Sequence, residues 1–311
     1  MRSLRVTPVI LAMLLVSLFF VSETQAVAVR TFVSSTGSDA NTATNCGRTT
    51  PCQHLNSAYS VTSPGGEVVA LDSAGVGGVT ITTAVTISSL PGQTAFINVP
   101  ASTAGITISA GATDEVILRN LQISGANAAS TTGVQLNSGN LIVDNCSFAQ
   151  LTSAGVTLAG GATSTVNIRQ SIFTSNNRAI LAQSGAVNVE DLTIANNTVA
   201  IRAEGQGPDQ DPSINGTTPR TTIVRVSGGF FSSNTTAFDM FNSGVTGTRP
   251  PGGCNAQNIF LRNNTNIVGS PTFANISGLF DGNGGCGSFP AATTIGGYSP
   301  QNQNQTNLAN Q

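Results

Sequence analysis

The sequence predicts an all-β parallel β-helix, a solenoid of stacked strands with three short strands in each coil. Three observations predict it: an eight-residue block that recurs, a shorter motif led by Gly or Ala between its copies, and a composition suited to strands and turns. The block runs Val116-Ile117-Leu118-Arg119-Asn120-Leu121-Gln122-Ile123 and returns as Leu141-Ile142-Val143-Asp144-Asn145-Cys146-Ser147-Phe148. It recurs from Val166 to Phe173, from Val187 to Ile194 and from Val224 to Phe231, with starts 25, 25, 21 and 37 residues apart. Positions one, three and eight are large and apolar in every copy, and position four is polar. Self-similarity at such periods, with room for insertions, belongs to solenoids.

The shorter motif supplies the third strand of the coil. Gly105-Ile106-Thr107-Ile108, Gly133-Val134-Gln135-Leu136 and Gly155-Val156-Thr157-Leu158 are nearly superimposable, and Ala179-Ile180-Leu181, Ala200-Ile201-Arg202 and Ala237-Phe238-Asp239-Met240 continue the column. Apolar residues alternate within each strand, as in half-buried strands. One repeat cannot bury its apolar face alone. Stacking about 4.8 Å apart joins these faces into one interior column, and the repeat length points to about eight coils. A helical reading fails, because β-branched residues are frequent and Gly or Asn interrupts each block.

The polar positions fall into columns. Asn120, Asn145, Gln170 and Asp191 stand at position five, where one strand must bend into the next. Asn and Asp tolerate left-handed backbone angles, and stacked amides can bond from rung to rung. Asn176-Asn177, Asn196-Asn197 and Asn234 form a second polar column. Amide ladders that hold turns explain it better than sugar-binding amides. Position four carries Arg119, Asp144, Arg169 and Glu190, an alternation of charge suited to cross-strand pairing.

The first 28 residues read as a targeting segment. Arg2 and Arg5 precede an apolar run over residues 9–21 whose one polar member is Ser17, and Ala26-Val27-Ala28 offers a small-x-small cleavage pattern. The run is short for a membrane span, so a cleaved secretory signal is expected, with cleavage after Ala26 or after Ala28. The expected location is therefore secreted, periplasmic or cell-surface, with no transmembrane segment after cleavage. Charged residues make up only 8% of the chain and the formal net charge is −2. No basic patch is present to neutralise phosphates, which argues against nucleic acid as a partner.

Export permits disulfides. Cys46 and Cys52 bracket a short polar segment, Cys254 and Cys286 lie in Gly-rich stretches, and a local bridge is expected in each pair. Cys146 lies alone in a strand-like segment and reads as a buried free thiol. A metal site from Cys46, Cys52 and His54 lacks an evident fourth ligand.

With these residues in view, the chain resembles the right-handed parallel β-helix proteins of the pectate-lyase-like superfamily, over roughly residues 66–285. The handedness is implied by that resemblance. Phe32-Val33-Ser34, Gly37-Ser38-Asp39-Ala40-Asn41, Cys46 and Pro51-Cys52 are similar to the opening segment of secreted bacterial β-helix proteins. The resemblance implies that a short helix within residues 53–61, presenting Leu55, Ala58 and Tyr59, plugs the open end of the stack. The expected organisation is a signal at 1–28, an N-terminal cap at 29–65, the β-helix at 66–286 and a mostly disordered Gln/Asn-rich tail at 287–311. The resemblance implies a fold more than a reaction. The Asn-Thr-Asp, Asp-Asp and Gly-His-Gly signatures of polygalacturonase-type members do not occur, and the sole histidine is His54. The chain has no Trp and only two Tyr, so the aromatic platforms usual in glycan clefts are scarce.

Chemistry could reside in the insertion between Ala200 and Val224. Glu204, Asp209 and Asp211 lie on a Gly/Pro-rich loop, with Arg202, Arg220 and Arg225 close in sequence. Asp209 and Asp211 are candidate Ca²⁺ ligands, although calcium loops usually recruit more acids than one Asp-x-Asp provides. Glu204, Asp209, Asp211, Arg220 and Arg225 are the candidate catalytic residues, and Asp114-Glu115 and Glu190-Asp191 are lesser carboxylate pairs. A second insertion over residues 242–257, with Arg249, could form the other wall of a groove. The expected function is an exported, non-enzymatic β-helix for surface attachment, matrix structure or weak glycan contact, requiring no cofactor. The alternative is a divergent polysaccharide lyase or glycoside hydrolase acting on an extended glycan, acidic glycans included. Its partner in either case is a polysaccharide or cell-surface glycan. Oligomeric state is not legible in the sequence.

Overall fold

The computed structural model describes residues 27–204 apart from 126–128, 130 and 161–162. It also describes 222–227, 229–241 and short strands at Thr246–Gly247, Ile259–Arg262, Thr265–Gly269 and Leu279–Phe280. The chain winds into three parallel sheets, numbered in the order in which the chain visits them in each coil, of nine, nine and eight strands, and each coil contributes one strand to every sheet. Six coils, from the one opening with Thr62–Ala70 to the one closing with Val199–Glu204, have all three strands within the continuous part. That is fewer complete described coils than the eight expected from the repeat. Beyond them the sheets continue as strands whose connections lie partly outside the described residues, the turn over residues 233–235 being described. The signal segment up to residue 26, the 205–220 insertion, Arg249, Cys254, Cys286 and the 287–311 tail also lie outside them.

Register follows the repeat. In the first sheet Leu141 pairs with Val116 on one side and Val166 on the other, so position one stacks on position one. In the third sheet Val134 lies between Ile106 and Val156. In the second, Phe148 lies between Ile123 and Phe173. Each inward residue therefore meets its own equivalent above and below. Val116, Leu118, Ile123, Val134, Leu141, Val143, Phe148 and Phe173 are completely buried. Burial of such side chains stabilises by roughly 1.5–3 kcal/mol apiece. Phe148 and Phe173 stack with ring centroids 4.6 Å apart and planes 4° from parallel.

The short motif opens with Gly for a packing reason. A Cβ on Gly155 would lie 2.6 Å from the Ala179 carbonyl oxygen and 2.7 Å from a Phe173 ring carbon. The second-sheet phenylalanine thus occupies the space a side chain would need. One coil later Ile194 stands on Phe173 in the second sheet, and the short motif opens with Ala179.

The first end of the stack is closed as the cap residues require. Strand Ala28–Val33 extends the first sheet, pairing in parallel with Thr62–Ala70. Helix α1, Leu55–Ser60, buries Leu55 and Ala58, with Tyr59 packed against the core. The Tyr59 hydroxyl accepts from the backbone N–H groups of Thr82 and Thr83 at 2.8 and 3.1 Å. Cys46 and Cys52 form a disulfide with Cα atoms 5.0 Å apart, and both are buried. Cys146 is a buried free thiol. Burial pushes its pKa up to about 12, leaving it neutral and unreactive at ordinary pH. Among the described residues no helix is long and apolar enough to cross a membrane.

Candidate functional site

Most polar residues that could carry chemistry are engaged with neighbouring rungs. At position four, Asp144 accepts from Arg119 Nε at 3.1 Å and from Arg169 at 3.0 Å, so one carboxylate is clamped by cations above and below. The hydrogen bond from Arg169 does most to hold the Asp144 carboxyl below its usual range. Partial burial opposes this, and Arg119 adds to the lowering. A second row on the same sheet runs Asn167, Asn188, Arg225: Asn188 Nδ2 donates to Asn167 Oδ1 at 2.7 Å, and Arg225 donates to Asn188 Oδ1 at 3.2 Å. At position five Asn120, Asn145, Gln170 and Asp191 have φ of 57, 49, 50 and 52°, and Asn145 Nδ2 donates to Asn120 Oδ1 at 2.8 Å.

The candidate loop meets the stack at its two ends. Thr222 Oγ1 donates to the Glu204 carbonyl at 2.7 Å, so the insertion leaves and re-enters at one point. Asp209, Asp211 and Arg220 lie outside the described residues. Glu204 is described, and its carboxylate is taken up by the third sheet. Its Oε1 accepts from Arg202 Nε at 2.7 Å and its Oε2 from Gln183 at 3.0 Å. Arg202 reaches on to Asp239 at 3.1 Å. One arginine therefore bridges two carboxylates on adjacent rungs, and all three side chains are largely shielded from water. Such an arginine is poorly placed to serve as a proton acceptor or to bind a free uronate. Arg225 is placed on the first sheet beside Asn188, whereas Glu204 ends a third-sheet strand beside Gln183.

The lesser pairs divide similarly. Asp114 Oδ2 accepts from the Gly111 N–H at 2.9 Å as a turn residue. Glu190 belongs to the position-four row, while Asp191 is the exposed left-handed residue beside it. In the cap, Asp39 accepts from the N–H groups of Gln53 and His54, each at 3.0 Å, and its Oδ2 lies 2.6 Å from His54 Nδ1. Burial acts to raise the Asp39 pKa, but these bonds outweigh it and hold the carboxyl below its ordinary value. They tie the segment around Asp39 to the start of α1. Among the described residues no three His, Cys, Asp or Glu side chains are grouped to hold a metal ion.

One polar region was read in the sequence first as an amide ladder, with sugar-binding amides as the lesser reading. At the corner joining the second sheet to the third, an open groove of about 510 Å³ is lined by Gln150, Leu151, Thr152, Ser175, Asn176, Asn177, Asn196 and Thr198. Its floor is a buried amide column. Asn176 Nδ2 donates to Asn197 Oδ1 at 3.0 Å, and Asn197 Nδ2 to Asn234 Oδ1 at 3.0 Å. The same amides reach the Phe148 and Phe173 carbonyls one coil back, each at 3.1 Å.

Residues 61–218, just over half of the 311-residue chain, match the family model described as the right handed beta helix region. A search of curated proteins found no match.

Proposed function

Because the chain belongs to the right-handed β-helix family, we propose that it is an exported, non-enzymatic β-helix that makes weak contact with a glycan in a surface or matrix setting. The observation that carries this reading is the engagement of its charged side chains. Asp144 is clamped between Arg119 and Arg169, and Arg202 is clamped between Glu204 and Asp239. A catalytic carboxylate or arginine must have an unengaged face toward the reacting atoms. These groups face one another. Export rests on the Arg-led apolar N-terminus, and the glycan class on the long polar surface that stacked coils present. The reading requires no cofactor.

The test is an assay of mature protein on polygalacturonate, xylan and cellulose, with and without Ca²⁺, following reducing ends and unsaturated uronate products. The expected result is retention on a polysaccharide without turnover. Turnover that is lost in Glu204→Gln, Asp209→Ala or Asp211→Ala would instead establish a lyase or hydrolase built on the 204–225 insertion.

A further inference from the structure

We propose that the corner groove between the second and third sheets is the glycan-contact site, and that it takes an extended, uncharged polysaccharide. This rests on the glycan-binding reading above and assigns it a place and a ligand class. Four successive rungs turn the corner in the same way. Gln150, Ser175, Asn196 and Ser233 all have left-handed backbone, with φ of 59, 57, 59 and 54°. The groove therefore repeats with the coil, about 4.8 Å per rung. That step is close to the length of one sugar unit, so consecutive units of an extended chain meet equivalent groups.

The chemistry of the lining sets the ligand class. Gln150, Ser175, Asn177, Asn196 and Thr198 are amides and hydroxyls, each able to donate and accept, as sugar hydroxyls do. Among the described residues the side chains of these five have no hydrogen-bond partner, and only their backbone groups bond to neighbouring rungs. The neighbouring polar rows differ, because Asn120 with Asn145, Asn167 with Asn188, and Asn176 with Asn197 bond to one another. Here the repeat directs a polar row outward without closing it on itself. Its floor is fixed by the Asn176–Asn197–Asn234 column, so little ordering is needed when a ligand binds. Among the described residues no charged side chain lines it, so those residues offer no cation to a uronate chain. No aromatic ring among the described residues lines it either, so each unit binds weakly and affinity comes from many contacts along a polymer.

The test is retention of mature protein in affinity electrophoresis through soluble xylan or polygalacturonate, with pull-down on cellulose. Asn177→Ala/Thr198→Ala is the variant of choice, because neither residue has the left-handed backbone that alanine would strain. Thr193→Ala, exposed on the second sheet, is the control. Loss of about two hydrogen bonds per contact should weaken retention on xylan or cellulose roughly tenfold. The control and the urea midpoints should be unchanged. Undiminished binding by the double variant would overturn the groove assignment while leaving glycan binding intact. Preference of the wild type for polygalacturonate would overturn the ligand class. Absence of binding to all three polymers would remove both this proposal and the reading it rests on.

Discussion

Replacing Asn197 with alanine perturbs the buried amide column at its centre. The side chain is 2% exposed. Its Oδ1 accepts from the Asn176 backbone N–H at 2.9 Å and from Asn176 Nδ2 at 3.0 Å. Its Nδ2 lies 3.1 Å from the Phe173 carbonyl and 3.0 Å from both Asn234 Oδ1 and the Ala195 carbonyl. Alanine reproduces none of these. Asn176 Nδ2 keeps the Phe148 carbonyl, and Asn234 Oδ1 keeps the Asn197 N–H. The Asn176 N–H is left buried and bare. A bare buried donor costs roughly 1–3 kcal/mol, and the other lost bonds bring the expected total to about 3 kcal/mol. Urea unfolding followed by far-UV circular dichroism should show that loss as a lower midpoint at unchanged m-value. Asn177→Ala, next to Asn176 in sequence but on the groove surface, should change stability by no more than about 0.5 kcal/mol. A loss below about 1 kcal/mol for Asn197→Ala would refute a column that holds rungs together.

Three further outcomes follow from the same geometry. Cys46→Ser/Cys52→Ser opens a disulfide with a sequence separation of 6, worth about 2 kcal/mol by loop-closure entropy. Hydrogen exchange should quicken in Ala28–Val33 and stay slow in Ala154–Leu158. Asp144 has its folded pKa depressed below the unfolded value of 3.8, so its stabilising contribution is complete above that value and fades as pH falls through the folded one. The stability gap between wild type and Asp144→Asn should thus be constant from about pH 5 to 7 and close below about pH 4. Phe148→Ala removes a fully buried ring stacked on Phe173 and should cost about 3–5 kcal/mol in thermal or urea unfolding. Ile172→Ala, on the outer face of the next strand, should cost little.

How far the chain could be read depended on which interactions keep their period in sequence. The stack was legible because parallel pairing puts Val116, Leu141, Val166 and Val187 in one register, and the same spacing repeats in the letters. The position-four row was legible for the same reason, since Arg119, Asp144 and Arg169 alternate on adjacent rungs. The second amide column was legible only in part. Asn176-Asn177 and Asn196-Asn197 look equivalent as letters, yet Asn176 and Asn197 are buried while Asn177 and Asn196 line the groove. A left-handed residue at Ser175 and Asn196 resets the alternation of faces, and residue type alone does not mark it. The full lining of the groove was not legible because Gln150, Ser175 and Asn196 share a backbone angle rather than a side-chain type. The alignment of the short motif put Arg202 and Asp239 in one column, but their ion pair and its extension to Glu204 were not read from it.

The most direct measurement of whether the polar side chains hold the stack or do chemistry is the stability of Glu204→Ala. Glu204 is the described member of the candidate catalytic loop set that bonds both its own strand and the rung before it, through Arg202 and Gln183. Removing a carboxylate that bridges rungs leaves Arg202 and Gln183 short of an acceptor. The account therefore predicts a urea midpoint lowered by at least about 1 kcal/mol equivalent. Catalytic residues are commonly held at a cost to stability, and their removal tends to raise it. A midpoint equal to or higher than that of the wild type would contradict the structural role assigned to Glu204.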